Sequence, residues 1–330
     1  MFDNGVFIIS LDFQMQWGAF DKRELDVERR VVLKNTLARI VPKTLRLFEK
    51  YDMHATWAFV GMLLDKNKHD WQINKPSIQP KYNNPKLSSY DYFEKVIKSH
   101  QLIDKYFFAD KAINEIYNTP HQELASHTYS HYYCLEEGQT EEQFAVDLEK
   151  AKRTFNENGW DMYSMVFPRN QFTTKNLEGI KNVGVQSIRT NPALWFWENG
   201  NNKLSARFFR LIDTYFSTTN KNLINHTDIS KDQVGILELP SSRFFSAHIP
   251  NMSILNDLRL KRILNEMTLA AKSKKYYHIW WHPENFGAFP DQYVAALETI
   301  LKHFKVLQNE YGFTSMTMKE YSEQLMPLIK

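Results

Sequence analysis

Seven short apolar runs recur along this chain, and stretches with helical spacing separate most of them. The runs are Val6–Leu11, Ala55–Val60, Glu123–Ser126, Met162–Phe167, Val185–Arg189, Gly235–Leu239 and Tyr277–Trp281. The helical stretches are Val31–Tyr51, Glu141–Asn158, Thr173–Asn182, Ser253–Lys272 and Asp291–Tyr311. Thr140 and Thr173 stand where N-caps belong, Pro290 opens the last helix and Gly312 closes it. A strand followed by a helix and another strand brings the chain back in the same direction, so the alternation predicts a parallel sheet. The expected class is α/β. Seven strands that follow no open nucleotide-binding order fit a barrel.

Four of the candidate strands end in groups able to do chemistry: Asp12, the pair His127 and His131, Arg169, and His282. In parallel sheets, ligands and catalysis gather at the carboxyl ends of strands. His127 and His131 are four residues apart, which on one helical turn would aim both rings the same way, toward one ion. A capped turn carrying two surface histidines meets the same spacing.

These segments together resemble the polysaccharide deacetylase family, carbohydrate esterase family 4. The motifs Ser10-Leu-Asp12, His127-Thr-Tyr-Ser-His131, Phe167-Pro-Arg169 and His282-Pro283 occur in the family's order. Ala55-Thr-Trp-Ala-Phe-Val-Gly61 is similar to its second strand, and the resemblance runs from about Phe7 to about Phe313. It implies a distorted (β/α)7 barrel forming one catalytic domain over residues 1–330. Insertions at about 65–120 and 195–232 would build its rim. It also implies a divalent metal, zinc by preference, on His127 and His131, and a carbohydrate substrate. The chain departs from the pattern at Asp12-Phe13, where the family commonly carries two aspartates, the second a metal ligand. Gln14 follows, on the same side of an extended strand as Asp12. The arginine motif is also inverted, to Pro168-Arg169. The metal site is therefore weakened, rebuilt around Asp12, or absent.

Within that resemblance, Asp12 is either the general base or the third metal ligand. His282 is the general acid, Arg169 pairs with Asp12 and holds it ionised, and Phe13, Gln14, Trp17, Trp280 and Trp281 bind substrate or wall the pocket. The activity implied is removal of an acyl group from an N-acylated sugar or sugar intermediate, for instance in surface-polysaccharide biosynthesis. Two other readings stand beside it: a metal-independent amidase acting on a small non-sugar amide, and a carbohydrate-binding relative without catalysis.

Composition narrows the class further. Hydrophobic residues make up 43% of 330, enough for a large core and against disorder. Lys+Arg 41 against Asp+Glu 38, with no long basic run, gives no case for nucleic acid. No run reaches the ~20 apolar residues of a membrane span. A single cysteine, Cys134, excludes an internal disulfide and reads as a small buried hydrophobe. Without a basic leader and cleavage site at the N-terminus, the expected location is cytoplasmic. The oligomeric state is not readable from the sequence.

Overall fold

The computed structural model describes residues 2–98, 103–192, 204, 213 and 222–329. Its strands are β1 (Val6–Phe13), β2 (Ala55–Phe59), β3 (Gln122–Ser126), β4 (Ser164–Val166), β5 (Ser187–Thr190), β6 (Leu237–Pro240), β7 (Arg243–Phe244), β8 (Tyr276–Trp281) and β9 (Thr314–Met316). The ladder runs β6-β5-β4-β3-β2-β1-β8-β7, and every pairing in it is parallel. The row ends at β6 on one side and β7 on the other, so the sheet curls into an incomplete barrel. β9 pairs with Val6–Ile8 of β1, while β2 pairs with Ser10–Phe13. The expected α/β barrel is the fold observed.

All seven expected strands are present. β7 and β9, two and three residues long, escaped because such lengths carry no readable period. The expected helix at Val31–Tyr51 begins earlier, at Val27, because Asp26 accepts a hydrogen bond from the Arg29 amide and caps it. A π turn, Thr36–Ile40, then separates it from Val41–Lys50. Thr140 and Thr173 both form capping boxes, with Gln143 and Asn176. The 65–120 segment folds into short helices, among them Lys68–Asn74, Ser89–Lys98 and Asp110–Asn118. Trp195, Trp197 and Phe209 of the second expected insertion lie outside the described residues. Among the described residues no helix is long and apolar enough to cross a membrane. Cys134 is buried.

β1 shows how the strands sort their side chains. Phe7, Ile9, Leu11 and Phe13 enter the layer between sheet and helices. Val6 and Ile8 point inward, to a second cluster with Ala58, Ala125, Val166, Leu237 and Tyr276. Met318, Tyr321 and Leu325 of the helix Met318–Leu325 seal that cluster from below. A strand buried on both faces needs an almost unbroken apolar run, which explains its sequence.

The alternation corrects three assignments to the substrate pocket. Phe13 lies on the outer face, edge-on to Trp57. Trp281 is also outward, packed against Phe48, Phe245 and Tyr293. Trp17 donates its indole N–H to the Phe107 carbonyl at 2.7 Å and packs on Phe93 and Phe107, joining β1 to the 65–120 segment. All three are completely buried core residues. Trp281→Ala should therefore cost about 3–5 kcal/mol of stability, the usual range for an emptied aromatic site. Urea denaturation followed by circular dichroism measures this; a loss below about 1 kcal/mol would place Trp281 outside the core.

Candidate active site

Asp12 ends the inward face of β1 and is almost fully buried. A lone carboxylate there would be expensive, so it needs a partner. Arg189 of β5 supplies one: its two terminal nitrogens reach Asp12 Oδ1 and Oδ2 at 2.6 and 2.7 Å. The same guanidinium donates to Ser10 Oγ at 3.1 Å and Asn170 Oδ1 at 3.0 Å, and it lies 4.1 Å from the Trp280 ring centroid. Burial would raise the Asp12 carboxyl, but Arg189, helped by His127, overrides it and brings it down to about 2.

Arg169 does not make the contact with Asp12 that the sequence suggested. β4 ends in a turn where Arg169 and Asn170 both take left-handed backbone angles, φ 59° and 50°. The turn throws Arg169 to the rim, where it binds Asp21 Oδ2 at 2.6 Å, bonds Glu136, and lies over the Tyr133 ring. Asn170 turns inward to Arg189 instead. Arg189 was readable in principle: it shares the inward face of β5 with Ser187, and a cation inside a buried strand implies a buried anion.

The two histidines of the paired motif lie beside each other, though no helix holds them. His127 N donates to Phe59 O at 2.9 Å as β3 ends, and Gly61 N and Met62 N donate to Thr128 O and Tyr129 O, both at 3.0 Å. Asp147, fully buried on the helix Glu141–Glu157, accepts from the Tyr129 and Ser130 amides at 2.8 and 3.1 Å and from the Ser130 hydroxyl. Thr128 and His131 adopt positive φ, so the chain makes a tight loop. Its ring centroids are 5.1 Å apart at 62°. Gly61 is required there: a Cβ on it would lie 2.6 Å from Tyr129 Cδ2.

His282 follows β8, its ring centroid 5.4 Å from Trp280. Gln14 Nε2 donates to His282 Nδ1 at 2.6 Å, which puts the ring proton on Nε2. Glu284 accepts from the Gln14 amide at 2.7 Å and from the Met15 amide. Gly18 clears the way for the Gln14 side chain, since a Cβ there would lie 1.9 Å from Gln14 Cδ. Burial lowers all three histidines: His127 to about 4, His131 well below its ordinary value, and His282 below 6.5. Asp12 pulls His127 and His282 the other way without prevailing.

As ligands for a divalent ion, His127 and His131 fit. Both rings are neutral, as coordination requires. His127 Nδ1 donates to Val166 O at 2.7 Å, leaving Nε2 with the lone pair, and His131 Nδ1 is a buried nitrogen with no hydrogen bond. Gln14 Oε1 is a buried acceptor in the same condition. Asp12 does not complete a tight triad, because Arg189 takes both its oxygens. Among the described residues, the group of three whose donor atoms all lie within 4.8 Å of one another is Asp52, His54 and His121, at the opposite ends of the strands.

Breaking the central pair by Arg189→Met should cost about 3–5 kcal/mol, the usual penalty for stranding a buried charge. Arg169→Ala, at a partly exposed rim bridge, should cost about 1 kcal/mol or less. Equal losses in urea denaturation would refute this division. Since Asp12 falls from 3.8 to about 2 on folding, its contribution, about 2 kcal/mol, is complete above pH 3.8 and is lost as pH falls toward 2. Denaturation midpoints of wild type and Asp12→Asn should then converge in that acid window.

Residues 33–188 match the polysaccharide deacetylase family model. No curated protein matches the sequence. A Mycobacterium smegmatis protein described as a polysaccharide deacetylase is similar in structure, with TM-score 0.58 at 13% identity, over 99% of this chain and 93% of that one. A Pseudomonas aeruginosa PAO1 protein so described gives TM-score 0.52 at 10% identity, covering 98% and 91%. A 4-alpha-glucanotransferase of Thermococcus litoralis gives 0.55 at 13%, covering 97% of this chain and 40% of its own length. At such identities the likeness is one of fold.

Proposed function

We propose that the chain is a polysaccharide deacetylase, the family whose model residues 33–188 match, and that it is a metal-dependent hydrolase removing an acyl group from an N-acylated sugar. The observation that carries the reading is the mouth itself: an ionised Asp12 held by Arg189, two neutral histidines with ring centroids 5.1 Å apart, and His282 close to Asp12 and His127. His127 and His131 would hold a divalent transition metal, with the Gln14 carbonyl oxygen as an added donor. Such an ion polarises the amide carbonyl and acidifies water. Trp280, partly exposed over Arg189, offers a ring face to the sugar.

Asp12 stays ionised at every physiological pH and accepts the proton of the attacking water. Arg189 fixes both carboxylate oxygens, so the base does not rotate away. His282 delivers a proton to the departing amine, for which its ring must first carry two protons. Gln14 steadies the resting ring, its N–H₂ donating to the neutral Nδ1.

With zinc supplied, amine release from an N-acetylglucosamine oligomer should be measurable. Asp12→Asn should lower the rate about 10²–10⁴-fold, the range for losing a general base. His127→Ala should weaken zinc binding about tenfold or more in a folded protein. If wild type with zinc releases no amine from any N-acylated sugar, the non-catalytic sugar-binding reading takes over.

The pH profile tests the acid separately. Because burial holds His282 below 6.5, kcat/KM should fall as pH rises through a value under 6.5. Gln14→Glu places a carboxylate on the ring and should move that limb to higher pH, while tightening zinc binding. A limb that stays put assigns the acid to another group.

A further inference from the structure

The deacetylase reading makes no use of Asp52, His54 and His121, which lie at the amino ends of β2 and β3, away from the mouth. His54 and His121 precede Ala55 and Gln122, which are register partners, and Ala55 N donates to His121 O at 3.2 Å. Their imidazoles stack at 4.1 Å and 10°. Asp52 Oδ1 lies 3.4 Å from His121 Nε2, and one donor atom from each of the three residues falls within 4.8 Å of the others. A fourth residue orients the group. Glu320 Oε2 lies 2.7 Å from His54 Nδ1, and its position is set by the capping box it forms with Thr317. His54 thus gives its Nδ1–H to a carboxylate and keeps its lone pair on Nε2. A carboxylate behind a histidine in this way is the usual outer arrangement of a metal-bound imidazole.

We propose that Asp52, His54 and His121 form a second metal site, at the floor of the barrel, that takes a divalent transition ion such as Zn²⁺. Two imidazoles and one carboxylate suit zinc, nickel or cobalt; magnesium and calcium prefer all-oxygen sets. Binding requires the two rings to tilt out of their stack so that both lone pairs point at one centre. The side chains have room for this, His121 being 45% and Asp52 67% exposed. The ion would join the starts of β2 and β3 and, through Glu320, the helix that seals the barrel.

Zinc chloride titrated by calorimetry into the chelator-treated full chain tests the proposal. The mouth is first blanked by His127→Ala with His131→Ala. That protein should still bind one equivalent of zinc, and zinc should raise its melting temperature. Adding His121→Ala, or His121→Gln where the alanine variant does not fold, should weaken binding at least tenfold and abolish the thermal shift. Glu320→Gln should also weaken it, by about tenfold. His121→Gln in the wild-type background should remove one binding event and leave any hydrolytic rate unchanged, which separates this site from the mouth. No zinc uptake by the mouth-blanked protein, or uptake indifferent to both His121 and His54 substitutions, overturns the proposal.

Discussion

One ion pair, Asp12 with Arg189, organises the mouth of this barrel. Two charges withdrawn from water are costly unless their hydrogen bonding is complete, and the neighbouring residues complete it. Ser10 and Asn170 take the remaining guanidinium donors, and Trp280 covers its face. His278, inside β8, bonds Ser10 Oγ and the Tyr276 hydroxyl, each at 2.8 Å, so the polar chain runs down to the apolar floor. The pair also sets the protonation of its neighbours. An isolated Asp12 would favour cationic histidines around it. With Arg189 cancelling that field, burial decides, and His127 and His282 remain neutral.

The barrel was legible because its strands are buried on both sides and its helices carry their own caps. The places of Asp12, His127, His131 and His282 at one end of the sheet were legible from the apolar runs that precede them. Arg169 misled for a local reason. It stands at a strand end as the others do, but two successive left-handed residues at the end of β4 send it outward. The true partner lay within a strand, where only the question of what neutralises a buried cation points to it. The helical spacing of His127 and His131 likewise described their separation correctly and their backbone incorrectly. Thr128, His131 and the buried Asp147 shape a loop, and contacts to a distant helix leave no mark on local periodicity.

The departure at Phe13 acquires a simple geometric account. Position 13 faces the helix layer, where an apolar ring packed on Trp57 is stabilising and a carboxylate would be stranded. Position 14 is the next residue on the side of Asp12, and there the chain places an amide already bonded to His282. Glu284 holds the Gln14 backbone N–H and Gly18 admits the side chain, and neither residue carries a signature in the sequence. In the aromatic set only Trp280 alternates to the inner face, and its neighbour Trp281 serves the core.

The order in which the barrel can be completed follows from the position of β9. The lower edge of β1 pairs with Thr314–Met316, about 300 residues later in the sequence. The helix that covers the inner apolar cluster comes later still. The inward faces of Val6 and Ile8 therefore gain their full cover only when residues 314–325 dock. Contacts so distant in sequence are slow to form. The upper half of β1 can pair with β2 early, while its lower half is among the last parts of the barrel to find all its partners.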